Sequence, residues 1–411
     1  MIDRRYINKE VRYVSDEASL WTRSFILMTV ANGLLFANFH ALVPTMAMYA
    51  ASLGATGSEI GIITGIFAIS AIFVRLFTEN LVRKWGRKRC FFAGLGLSLA
   101  ATVSYMEFTG FSTLLTARIV HGFGFGLGTT FAAALAVDII PPAHRGEGLG
   151  YFGLGNTISM GASPAVGVAV LTSLGAGALF GISAAAIASS LFLFWICLRH
   201  KTARPVPKRT EHISLRERLI VRGTAWNALF SALFGFGFGS VNAYLPMTAL
   251  ELGIEGSGLF FVVGTVFTFL SRLFGGRIYD RHGAFFVILP GAALMALSVF
   301  IVLLSHSLAM LLFASVFYGF GAGLLMPSLM AALFSSVTPE RRNSASATFY
   351  NMMDLGTSLG IVFLGTLAGM IGYIRILDVV LAELLIFSGL ILLLRYRKDN
   401  TDNIIEEKDL I

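Results

Sequence analysis

Twelve runs of about twenty predominantly apolar residues can be drawn along this chain, around 24–46, 58–80, 90–109, 112–137, 148–172, 177–198, 223–249, 257–279, 284–304, 308–334, 345–371 and 376–396. Each has the length a helix needs to cross a bilayer, so an all-α membrane protein with twelve transmembrane helices is expected. A composition of 56% hydrophobic and only 13% charged residues excludes a soluble globular chain. The abundant glycines fit helices that approach one another closely in lipid. Residues 1–23 are polar and of mixed charge, without the short apolar core and cleavage site of a removable signal peptide. The first helix is therefore expected to direct insertion itself.

The net charge of +8 is a statement about topology. Lys and Arg cluster before helix 1, between Arg83 and Arg89, in the polar segment Arg199–Arg222, after helix 8 and after helix 12, whereas Arg375 stands alone in the alternate connections. Basic loops stay cytoplasmic during insertion, which places both termini in the cytoplasm of a multi-pass plasma-membrane protein. Trp21, Trp85, Trp195 and Trp226 fall at the same helix ends, where indole favours the interface. The basic residues thus face anionic lipid headgroups, and no nucleic-acid partner is expected. Cys90 and Cys197, on the cytoplasmic side, are read as reduced packing residues.

One string occurs twice. RLFGGRIYDRHG (Arg272–Gly283) repeats RLFTENLVRKWG (Arg75–Gly86) at an offset of 197, and the same offset carries Gly122, Gly124 and Gly126 onto Gly319, Gly321 and Gly323, Pro142 onto Pro339, and Arg145 onto Arg342. Two six-helix halves in the same orientation are parallel pseudo-repeats about an axis along the membrane normal. The expected organisation is an N-terminal half over 1–198, a cytoplasmic basic linker over 199–222 and a C-terminal half with its tail over 223–411.

With these features the chain resembles the major facilitator superfamily of transporters over essentially its whole length. RLFGGRIYDRHG resembles that family's signature at the cytoplasmic turn after the second helix of a half. Gly276 lets a neighbouring helix approach, Asp280 accepts from arginines or a helix N-terminus, and Gly283 permits a tight turn. In the first copy Glu79 and Arg83 replace that glycine and aspartate, spaced for a helix-face ion pair; a solvated helix-end charge is the alternative. A cytoplasmic gate built from Arg75, Glu79, Arg83, Arg272, Gly276, Asp280 and Gly283 is expected, asymmetric between the halves. Helix 5, GYFGLGNTISMGASPAVG, resembles the family's antiporter signature at Gly150, Pro164 and Gly167, with Ser159, Ser163 and Val168 in place of glycines.

Ionisable groups at depth are few and costly. Asp354 stands roughly 14 Å into helix 11, sharing a face with Tyr350 and Asn351; a coupling carboxylate and a charge partner for an arginine such as Arg118 are the two readings. Arg118, followed by His121 and spaced glycines, is similar to the family's helix 4 arginine, which the resemblance links to proton coupling, against an arginine snorkelling to the interface. His121 titrates in the useful range or packs through hydrogen bonds. In the family, helices 1, 4, 7 and 10 line the cavity. Asn38, His40, Asn156, Asn242, Tyr350 and Asn351 are the substrate-cavity candidates, with interhelical hydrogen bonding as the alternative role. Glu107 and Glu383 are weaker candidates, the latter for packing or an oligomer contact.

Walker, zincin, zinc-cysteine and nucleophile-elbow motifs are absent from the sequence, so no enzyme activity, metal site or cofactor is expected. The resemblance implies a secondary transporter, a proton-coupled exporter of small organic molecules working by alternating access, monomeric like the family, with its substrate, protons and membrane lipids as partners. An exporter of a polar metabolite such as a sugar or metallophore, or a non-transporting receptor of the same fold, is the alternative.

Overall fold

The computed structural model describes residues 20–141, 145–199, 220–221, 223–338 and 342–409, without the side chains of Glu79 and of some residues near helix ends. Its regular structure is helical. Helices α1 (Arg23–Ser52), α2 (Gly57–Trp85), α3 (Arg87–Ser104) and α4 (Phe111–Ile139) are followed by one long run, Arg145–Leu198. Gly175, at φ 84° and ψ 176°, breaks that run into α5 over 145–174 and α6 over 176–198. Then come α7 (Ala225–Glu251), α8 (Leu259–His282), α9 (Phe285–Leu303), α10 (Leu308–Ser335), α11 (Arg342–Ile371) and α12 (Ile376–Asp409).

The twelve expected helices are thus all present. Ten segments are long and apolar enough to span a membrane, one of them, Tyr151–Leu198, holding both α5 and α6. Only α3, which opens on Arg87, Lys88 and Arg89, falls outside that measure. The chain is a multi-pass membrane protein. The linker expected over 199–222, together with Pro142, Pro339 and Arg341, lies almost wholly outside the described residues.

The repeat is visible in packing detail. Gly86 (φ 78°) and Gly283 (φ 88°) each end the second helix of a half in a left-handed turn that an L side chain would strain. The N–H of each closes on the carbonyl four residues back, Val82 and Tyr279, at 2.8 Å. In α4, Gly122 and Gly126 face α2 at Phe67 and Ala71 while Gly124 faces α3, where a Cβ would stand 2.6 Å from Gly94 O. In α10, Gly319 and Gly323 face α8 at Gly264 and Thr268 while Gly321 faces α9, its Cβ position 2.6 Å from Gly291 O. Bare backbone on both faces lets one helix pack against two neighbours at once. Across α5 and α1, Ser159 Oγ donates to Gly33 O at 2.7 Å, and across α11 and α7, Thr357 Oγ1 donates to Gly235 O at 3.0 Å. These matched bonds make α5 the counterpart of α11 at an offset of 198, and α1 the counterpart of α7 at an offset of 202.

Call the end at which Trp21, Trp85, Trp195 and Trp226 sit, all four exposed, the basic end. Toward the opposite end the halves share one apolar core, in which Leu42, Met46, Ala50 and Ile60 join Val241, Tyr244 and Leu245. Toward the basic end the N-terminal half keeps a core of its own, built on Phe25, Phe91, Phe131 and Phe194.

Two seams join the halves. Along α2 and α11, a Cβ on Gly61 would come within 2.9 Å of Val362 O, and Ser58 Oγ reaches Thr366 Oγ1 at 3.1 Å. Along α5 and α8, a Cβ on Gly258 would come within 3.0 Å of the Ala165 Cα, and Gly161 faces Thr265. Followed toward the basic end, the first seam reaches the ion pair of Arg75 with Asp354, and the second the hydrogen bond from Arg272 to Thr157.

Candidate functional site

The site grows from those two arginines. Arg75 is about 15 Å from the Trp85 end of α2 at 1.5 Å per residue, about two-thirds of the way along a 29-residue helix. Its guanidinium pairs with the Asp354 carboxylate of α11 and touches Thr129 Oγ1 of α4 at 3.4 Å. Both charged side chains are about four-fifths covered, at 18% and 22% exposure, in a setting where Coulomb attraction is much stronger than in water. The partner of Asp354 is therefore Arg75, not Arg118 as the sequence suggested.

Arg272 is the repeat counterpart of Arg75, but its environment differs. The α5 residue equivalent to Asp354 is Asn156, an uncharged amide, and Arg272 instead donates to the neighbouring Thr157 Oγ1 at 3.2 Å. Arg272 Nε is buried with no hydrogen-bond partner among the described residues. Tyr350, one turn before Asp354, is in electrostatic range of Asp354, Arg272 and Arg75 together. Two arginines and one carboxylate thus occupy the junction of the seams among the described side chains.

Above this junction are aromatic walls from both halves. On the N-terminal side Phe39 stacks on Phe67 and Phe125 at 5.1 and 4.4 Å, and His40, 4.8 Å from Phe39, donates through Nε2 to Asn156 Oδ1 at 2.9 Å. On the C-terminal side Phe238 stacks on Tyr318 at 5.8 Å, and Asn242 Nδ2 donates to Tyr318 Oη at 2.6 Å. A small cavity of about 20 Å³, room for about one water, opens between Met160 of α5 and Phe238, Asn242, Thr268 and Tyr318. Asn242 therefore lines the cavity, His40 and Asn156 bond to each other within the N-terminal half, and Tyr350 is 40% exposed. Asn351 is buried beside it on α11. Tyr318 was missed in the sequence, although the offset of 197 from His121 points to it.

Asn38, His121 and Arg118 belong elsewhere. Asn38 Nδ2 spends both protons, on Thr102 Oγ1 at 3.1 Å and Ser183 O at 3.2 Å, so its Oδ1 accepts from His121 Nε2 at 3.0 Å. His121 Nδ1 then accepts from the Tyr105 hydroxyl at 3.1 Å. This saturated network ties α1, α3, α4 and α6 inside the N-terminal half, at 1–2% exposure for Asn38 and His121. Asn38 and His121, expected at the substrate cavity and in proton coupling, are thus placed inside the N-terminal half and bonded to each other. Arg118 is 2% exposed, donates to Ile63 O at 3.1 Å and Thr64 O at 3.4 Å, and lies 4.6 Å over the Phe67 ring. Carbonyls and an aromatic face satisfy it; it neither snorkels nor meets a carboxylate among the described residues.

The basic-end motif is only partly engaged in this conformation. Gly283 makes its tight turn, but a Cβ on Gly276 would meet nothing within 4 Å, and Asp280 is exposed. Among the described residues no helix packs on Gly276, and the latch around Asp280 is not engaged in this conformation. Arg83 is exposed at the end of α2; its expected pairing with Glu79 falls on a side chain outside those described. Glu383, read as a packing group, is a second carboxylate at depth: both its oxygens are buried without a hydrogen-bond partner among the described residues, facing α7 at Gly237.

Two pseudo-symmetric six-helix halves with a polar, aromatic-walled junction between them define a membrane carrier with a site at the interface of its repeats. The chain belongs to the Major Facilitator Superfamily, whose sequence profile matches residues 28–361 and 249–409. It is 23% identical over 337 residues to the staphylopine export protein of Staphylococcus aureus, covering 78% of this chain and 83% of that one. It is 24% identical over 385 residues to the MFS-type transporter YbcL of Bacillus subtilis, covering 89% and 94%. In fold it is similar to the nucleoside transporter NupG, with a TM-score of 0.72 at 14% identity over 90% of this chain and 98% of that one. The chain is a secondary-active transporter of small molecules, and among the described residues no His, Cys, Asp and Glu cluster is placed to hold a metal ion.

Proposed function

We propose that this protein is a proton-coupled exporter of small organic molecules in which Asp354 exchanges the coupling proton and Arg75 reads its charge. The observation that carries this is the Arg75–Asp354 pair, a partly covered ion pair that spans the two halves. While Asp354 is ionised the pair holds α2 to α11. A proton on Asp354 cancels the attraction, and Arg75 is released from the seam. With the basic end in the cytoplasm, as the distribution of Lys and Arg implies, the shared core lies on the outer side and the separate core of the N-terminal half on the inner side, which supports access from within. The similarity to a protein named as an exporter, and the glycine-spaced α5 with Pro164 and Gly167, support export over import.

Proteoliposomes carrying a pH gradient test this. Substrate-dependent proton flux is expected for the wild type and is expected to be lost in Asp354→Asn, with substrate binding retained; unchanged flux in that variant overturns the assignment. Glu383 supports a second reading of the coupling step, since it is the other carboxylate buried among helices without a partner among the described residues. Loss of coupling in Glu383→Gln with Asp354→Asn still coupled moves the proton site to α12.

A further inference from the structure

We propose that Arg272 is the binding group for an anionic substrate, so that the cargo is an organic acid whose carboxylate completes the seam that Asn156 leaves uncharged. This rests on the transporter reading above and adds the chemical class of what is carried. Arg75 and Arg272 occupy equivalent positions on α2 and α8, and Arg75 has its carboxylate in Asp354. At the equivalent of Asp354 stands Asn156, whose carbonyl oxygen is already taken by His40. Among the described residues Arg272 is left with one neutral contact, Thr157, and a buried Nε with no acceptor.

A guanidinium removed from water without an anion is costly, and its fork of donors matches a carboxylate in bidentate fashion. The carboxylate of Asp354 is engaged by Arg75, so the described junction carries an uncompensated positive charge. A small cavity adjoins it. Thr268, one helical turn or about 6 Å from Arg272 along α8, lines the cavity bounded by Phe238, Tyr318 and Met160. Asn242 and Tyr318 supply polar atoms there, and Tyr350 is in electrostatic range of both arginines. An acid with its carboxylate on Arg272 and its apolar body toward Phe238 and Tyr318 matches the chemistry of this sequence of groups and takes more room than the cavity offers in this conformation.

The test is equilibrium binding to purified full-length protein at about pH 7.5, by calorimetry, with matched acid and amide pairs: benzoate and benzamide, indole-3-acetate and indole-3-acetamide, hexanoate and hexanamide. At least one acid is expected to bind about tenfold or more tightly than its amide, the value of roughly one charge-assisted contact. Arg272→Gln is expected to bring acid and amide together. Asn156→Asp, which supplies the missing carboxylate from the protein, is expected to do the same with the arginine intact, so a folding defect of one variant does not decide the outcome. No acid surpassing its amide in the wild type, whether neither binds or both bind alike, overturns the proposal, as does an acid preference that survives in both variants. Because no gradient is present, the result is independent of proton coupling: an acid preference retained in Asp354→Asn alongside unchanged flux would sink the coupling assignment and leave this one standing.

Discussion

Removing the charge of Asp354 should shift the balance between the two access states. The pair with Arg75 lies at 18% and 22% exposure, between the surface pairs worth about 0.2–1 kcal/mol and the buried pairs whose disruption costs about 3–5 kcal/mol. A cost of about 1–3 kcal/mol follows for Asp354→Asn, which corresponds to roughly a 5- to 150-fold change in a two-state ratio. It falls on the state in which the seam is closed, because only that state brings α2 and α11 together at this depth. The assay is double electron–electron resonance with spin labels at Leu53 and Met370, both exposed at the end opposite the basic one, and, in a second sample, at Trp85 and Ala347 near the basic end. Long distances should gain weight at the first pair and short ones at the second. The double exchange Arg75→Asp with Asp354→Arg should restore the wild-type distributions. Distributions that do not move in Asp354→Asn, or that move and are not restored by the exchange, would refute the view that this pair controls the seam.

Gly61→Val should force the same seam open by shape instead of charge, since even a Cβ would come within 2.9 Å of Val362 O; overpacking of about 1–3 kcal/mol should appear as longer Leu53–Met370 distances. His121→Ala should lower the thermal stability of the purified protein by about 1–3 kcal/mol, as Asn38 and the Tyr105 hydroxyl lose a buried partner, with the KM for a transported compound unchanged. His40→Ala should raise that KM with a smaller stability loss, and the opposite pattern would return Asn38 and His121 to the substrate path. A cysteine at Leu53 should react with a membrane-impermeant maleimide on intact cells and one at Trp85 only after permeabilisation; the reverse labelling would invert the orientation.

Much of the architecture was legible because membrane helices announce themselves locally. Run length and apolarity mark the spans, and a repeated string with repeated glycines marks two parallel halves. The turn glycines Gly86 and Gly283 were also readable, since a left-handed turn demands a residue type and not a partner. The roles of the polar residues were less accessible. These helices are apolar on every side, so periodicity does not say which face meets the site and which meets a sister helix. Asn38 and His40 are two residues apart on α1, yet one is tied to α6 and the other to α5.

What the sequence determined by itself was therefore the number of helices, their organisation as a repeat and the short inventory of charged groups at depth. What the tertiary structure decided was their pairing: Asp354 with Arg75, 279 residues away, Arg118 with backbone carbonyls, and Arg272 with no carboxylate among the described residues. The physical reason is that insertion responds to length and hydropathy, properties of each segment alone. The cost of burying a charge is settled only when another helix, from the other half of the chain, brings its partner or fails to.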